Sequence, residues 1–230
     1  MVNLYKIASN IFCLKFDNNY DLGMHFLRSQ EFYESPFPEF KGKDFLIIDY
    51  MEKYAKTYGD NVFSYPGDWD GFNIPSDYLK QCYFGKIRDM SKYDKFMLQV
   101  MQKISDNLVE YTEKYYLIGI TDFNGSFEHE FAHALYSTCS SYKEECDKLI
   151  FNLDPFLKLK ICDYLYDIGY TSEVFDDEIQ AYLSTGFLYF YEDESFFQKL
   201  ILKYKLKKAS KPFVNLYNKY KITNNFEEIL

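Results

Sequence analysis

The sequence predicts an α+β fold that is mostly helical. One small antiparallel or mixed sheet packs on two helices, one carrying a histidine pair and the other a glutamate. Three observations lead there. From residue 90 onward, apolar residues recur every three or four positions, the helical period. Only two short runs, at 11–16 and 115–121, have the β-branched and aromatic content of strands. The 230 residues are 47% hydrophobic, enough for one sizeable core, and no Gly/Ser/Pro linker divides them.

Taken in order, "NIFCLKF" reads as a strand centred on 11–16, and "SPFPEFKGK" (35–43) as a loop. "DFLIIDYMEKYAKTYG" (44–59) reads as a helix ending at Gly59. Residues 60–76 hold Pro66, Gly67, Trp69, Gly71 and Pro75, which is turn chemistry. Ser91 caps a helix whose apolar face runs from Tyr93 through Phe96, Val100 and Ile104 to Leu108. "YYLIGIT" (115–121) is too short for a helix and reads as a strand. Asn124, Gly125 and Ser126 break it and offer caps to the next helix. Ser141 and Glu144 fit a capping box, and Asp154-Pro155 opens a helix ending at Gly169. Thr171 or Ser172 opens another through "EVFDDEIQAYLSTGFLYFY", and two further helices cover 195–208 and 212–221.

The net charge of −9 argues against nucleic acid or an anionic membrane as partner. The basic stretch 203–211 reads as a solvated helix end. Five cysteines without a C-x-x-C exclude a disulfide framework. With no signal-like N-terminus and no apolar run of ~18 residues, the expectation is a soluble cytoplasmic protein. Aromatic residues make up 21% of the chain, so buried tyrosine hydroxyls need partners.

Chemistry concentrates in "FEHEFAHALY" (127–136). Of three histidines in the chain, His129 and His133 fall here. A helix turns about 100° per residue, so residues four apart share a face. Both imidazoles can then converge on one cation at the ~2.0–2.1 Å that zinc requires, while Glu130 reaches a water beside it. A catalytic zinc takes three protein ligands and keeps one position open. The extended H-E-x-x-H-x-x-G-x-x-H pattern fails, because Tyr136 and Cys139 occupy its last two positions. No histidine follows His133. The third ligand therefore comes from Asp163, Asp167, Glu173, Asp176, Asp177 and Glu178, with Glu178 preferred. Tyr182, one turn on, is placed to hydrogen-bond a ligand histidine.

His129, Glu130, His133 and Glu178 together resemble the thermolysin-like gluzincin metallopeptidases, over roughly residues 115–190. The resemblance implies hydrolysis of peptide or protein substrates with one zinc ion held by His129, His133 and Glu178 and with Glu130 as general base. It also implies that "YYLIGIT" is an edge strand above the zinc, pairing with extended peptide. Residues 90–230 would form the peptidase domain, and 1–89 an N-terminal region on the same core. Two features depart from the group. Tyr182 replaces the aspartate of E-x-x-x-D, and no histidine but His25 remains to stabilise the oxyanion. Tyr136, Tyr170, Tyr182 and Tyr189 are the tyrosines that can replace it. The alternative is a catalytically inactive zinc-binding module that binds a protein partner through its aromatic surface.

Overall fold

A computed structural model describes residues 2–85, 87–108, 114–123, 125–186, 195–221 and 226–229, without the side chain of Phe196. The fold is α+β and mostly helical, with one five-stranded mixed sheet. The chain forms two compact units, Met1–Phe127 with Asn224–Leu230, and Glu128–Thr223. The division falls inside a helix, between residues 127 and 128.

In the first unit, β1 (Val2–Ala8) and β2 (Ile11–Phe16) form a hairpin through Ser9 and Asn10. A long crossover follows, made of α1 (Asn19–Glu34), α2 (Ile47–Tyr58), α3 (Tyr65–Asp68), β3 (Gly71–Pro75), α4 (Ser76–Phe84) and α5 (Lys92–Asp106). It returns the chain to β4 (Tyr116–Ile120), which pairs parallel to β2, as a parallel neighbour requires. β5 (Glu227–Glu228) completes the sheet, in the order β3-β4-β2-β1-β5.

The expectation of an edge strand at 115–121 is corrected here. β4 has β3 on one side and β2 on the other, so its backbone groups are already paired and an added peptide strand finds no free edge. β3 itself was hidden by its own sequence. As an edge strand it tolerates Pro75, so a strand reads as turn chemistry. Helix α1 lies against β2, β3 and β4. Gly119 on β4 permits that approach, because a Cβ there would meet the Phe26 ring at 2.4 Å.

Phe37, Phe40, Phe45, Tyr50, Tyr54 and Tyr65 pack together in this unit's core. Tyr65 donates to buried Glu31 at 2.9 Å and Tyr54 to Asp68 at 2.8 Å. Buried Arg28 donates to Asp94 at 2.9 Å and Asp89 at 2.7 Å, and to the Phe45 carbonyl at 2.7 Å. Asp94 also completes the capping box of α5 with Ser91.

The second unit holds most of α6 (Gly125–Thr138), then α7 (Ser140–Phe151), α8 (Pro155–Asp167), α9 (Phe175–Thr185) and α10 (Phe196–Tyr220). Ile150, Leu157, Ile161, Ile179, Leu183 and Phe213 form its core. Asp154 caps α8 as expected, accepting from Leu157 N. Two other caps differ. Cys139, not Ser141, precedes α7, and Val174, not Thr171 or Ser172, precedes α9. The extension of that helix beyond Gly186 lies outside the described residues, as do Asn124 and Tyr189. Helices expected at 195–208 and 212–221 are one helix running through Pro212. A proline in a helix costs ~3 kcal/mol. Burial of Phe213, Leu216 and Tyr217 just beyond it offsets that.

Candidate metal centre

Helix α6 buries Phe131, Ala132, Ala134 and Leu135, which fixes its rotation. Its start is tied to α10 by Glu128, which accepts from the Tyr217 hydroxyl and the Lys221 ammonium. His129 and His133 then project one turn apart, with their Nε2 atoms 3.2 Å from each other. Helix α9 brings buried Glu178 to the same point. Its Oε2 is 3.7 Å from His129 Nε2, and its Oε1 is 3.6 Å from His133 Nε2.

Two features of this cluster fit a cation. Ligand atoms ~2.0–2.1 Å from a tetrahedral zinc lie about 3.3 Å from one another. The 3.2 Å between the two Nε2 atoms matches such an edge, and the nearest Glu178 oxygen is 3.7 Å from His129 and 3.6 Å from His133. Glu178 Oε2 is also buried and accepts no hydrogen bond. A buried acceptor left unmet costs roughly 1–3 kcal/mol, more when charged, and a cation removes that cost. Among the described residues, these three side chains are the ones gathered closely enough to hold an ion.

The His133 ring is held in the orientation a metal ligand needs. His133 Nδ1 lies 2.8 Å from Asp177 Oδ1, a carboxylate that accepts a proton held on Nδ1, and Nε2 is the ring atom that faces Glu178 and His129. Asp177 Oδ1 also accepts from Gln180 at 2.9 Å, and Gln180 Oε1 accepts from the Tyr142 hydroxyl at 2.9 Å. Tyr142 and Gln180 are buried. This chain of hydrogen bonds was not legible in the sequence. Asp177 stood among the possible ligands but takes the supporting role expected of Tyr182. The Tyr182 ring instead lies against His129, 4.6 Å between centroids. Asp176 pairs with Lys158 at 3.2 Å, and Asp163, Asp167 and Glu173 are exposed.

Burial, with the His133 charge second, lowers the His129 pKa to about 4, so its ring is neutral and ready to ligate. Burial alone would depress His133 as well, but the Asp177 and Glu178 carboxylates reverse this and raise it. Burial pushes Glu178 up to about 7, with the His133 charge opposing. The metal-free cluster therefore holds protons where a cation would sit.

Glu130 is buried, and its charge acts on both histidines and on Tyr170 and Tyr182. Tyr170 and Tyr182 hydrogen-bond to each other, and burial raises both, Tyr182 to about 12. Both stay neutral, and Tyr182, which accepts from Tyr170, keeps an O–H to donate beside His129. Tyr136 does not serve there, since its hydroxyl donates to Asp147 at 2.5 Å. His25 belongs to the first unit. Its Nδ1 meets the Asp21 carbonyl at 2.6 Å, among the rings of Phe16, Tyr93 and Phe96. No protein-family model, curated protein or solved structure gives a significant match to the chain.

Proposed function

We propose that the chain is a zinc-dependent hydrolase of peptide bonds, with a ligand set like that of the gluzincin peptidases. The observation that carries this reading is the convergence of two imidazole nitrogens and a buried carboxylate with one unsatisfied oxygen, one ligand atom from each residue lying within 4.8 Å of the others, with buried Glu130 on the same helix as the histidines. His129, His133 and Glu178 would hold one zinc ion. When bound, zinc supplies Lewis acidity that polarises a water and the substrate carbonyl.

The chain's own residues do the rest. Glu130 takes the proton of the attacking water and returns it to the departing amine. Asp177 keeps the His133 proton on Nδ1, so Nε2 stays available. Tyr182, neutral and accepting from Tyr170, donates towards the negative charge that develops on the carbonyl oxygen.

The test joins metal analysis with peptide turnover. Protein prepared without chelator should carry one equivalent of zinc and cleave peptides from a mixed-sequence fluorogenic set. Glu130→Gln should keep the zinc and lose about 10²–10⁴-fold in turnover. Absence of zinc removes the metal from the reading. Turnover unchanged in Glu130→Gln removes the general base, and zinc without any turnover leaves a metal-binding module.

A further inference from the structure

Helix α10 has a charge pattern opposite to that of the chain that carries it. Between Phe196 and Tyr220 there is no aspartate or glutamate, in a protein of net charge −9. Lys203, Lys207, Lys208 and Lys211 are all exposed on its central turns. Leu202 and Phe213 turn inward to the second unit's core. On the opposite side, Phe197, Leu200, Ile201 and Tyr204 are 76%, 53%, 55% and 69% exposed. Their spacing of three, four and seven residues puts them in one stripe along two turns. Folded surfaces seldom leave such a contiguous run of large apolar side chains in water.

We propose that this stripe is a docking face that lays α10 on an anionic lipid surface. At about 100° per residue, Lys203 and Lys207 line one edge of the stripe, and Lys208 and Lys211 continue it towards the C-terminal end. Apolar and aromatic side chains between lysines are what a helix lying in the headgroup region presents. Nucleic acid would satisfy the lysines and leave Leu200 and Ile201 in water. An uncharged apolar partner would cover the stripe and make no use of the positive charge of Lys207, Lys208 and Lys211. An anionic bilayer uses both sets at once.

The net charge of −9, which by itself argues against an anionic membrane, acts here only through the charges close to the contact. At physiological salt, charges farther than ~8 Å from the surface are largely screened. No helix among the described residues is long and apolar enough to cross a membrane, so α10 lies on the surface rather than through it. On α8, Phe156 is 53% exposed with its ring 5.5 Å from Lys205 Nζ, and it widens the same face.

The full chain is to be sedimented with phosphatidylcholine vesicles, with and without phosphatidylserine. Binding is expected only with phosphatidylserine, and it should weaken as salt rises. Leu200→Ser with Ile201→Ser should abolish it. Lys207→Glu with Lys208→Glu should weaken it at least tenfold. All four side chains are exposed, so both variants should melt like the parent. As a second readout, Tyr204→Trp should blue-shift its emission on anionic vesicles, while the parent, whose only tryptophan is Trp69 in the first unit, should not. The proposal is overturned if the parent does not sediment with anionic vesicles or either double variant binds undiminished. An unmoved Tyr204→Trp spectrum, or tighter binding to DNA or polyglutamate than to vesicles, overturns it equally.

Discussion

Glu178 sits where burial pushes its carboxyl up to about 7, facing two imidazoles, with one oxygen lacking any donor. Asp177, one residue earlier, does different work from the same helix by fixing the His133 proton. Asp177→Ala should raise the zinc dissociation constant 10–100-fold, read by competition with a chromophoric chelator. Asp177→Asn should recover part of it, since an amide oxygen still accepts from Nδ1; equal affinity in the alanine variant would end the supporting role. In the first unit, burial raises the pKa of Glu31 even though the Tyr50, Tyr65 and Ser35 hydroxyls favour its ionised form. The folded state therefore holds that proton more tightly than the unfolded chain. Its stabilising contribution is full below the ordinary carboxylate range and is lost as pH rises through the raised value. Melting curves from acid to neutral pH should show the parent losing stability relative to Glu31→Gln as pH rises. A constant difference would sink the assignment. At this scale the gathering of His129, His133 and Glu178 was legible, because helical spacing alone aligns His129 with His133 and the shortage of histidine leaves a carboxylate as the third member. Asp177 was not. An acidic run at a helix start has an ordinary cause in the helix dipole, and spacing does not say which of three neighbours turns inward.

Among the elements, α5 ties the first unit together through its own cap. Asp94 accepts from Ser91 N and Oγ, at 2.8 and 2.7 Å, and from buried Arg28 at 2.9 Å. Removing the hydroxyl and removing the carboxylate should then differ sharply. Ser91→Ala should cost about 1 kcal/mol in denaturant unfolding, the usual loss of a cap. Asp94→Ala leaves Arg28 short of a partner in the interior and should cost about 3–5 kcal/mol. Similar losses from the two would mean that Asp89 alone sustains the guanidinium. Helix α5 was readable because one face is apolar and the other polar. Helix α1 was not, because Leu22, Met24, Phe26, Leu27, Arg28 and Glu31 are buried on several sides of it and no single stripe remains. β1 escaped for a related reason, since its buried positions do not alternate.

Across the whole molecule, a metal bound by the proposed ligands on α6 and α9 would add stability to the folded chain only while bound. Chelation should lower the melting temperature, and hydrogen exchange should quicken first in α6 and α9. A melting curve indifferent to chelator and to added zinc would mean the cluster holds no ion. The sequence showed that helices dominate and that a small sheet exists. It did not show the strand order, because β2 and β4 are joined by a crossover of about a hundred residues and nothing local records which strands become neighbours.

The return of the chain to β1 has a consequence for synthesis. Tyr5 pairs with Glu228 and Lys6 with Glu227, so the strand that borders β1 is translated after every residue of the second unit. While a ribosome works through those helices, the nascent sheet carries β1 with its outer backbone groups unclaimed. Such a bare border is a template for any passing strand. The interval in which this protein is most exposed to mispairing is thus set by the translation time of its second unit.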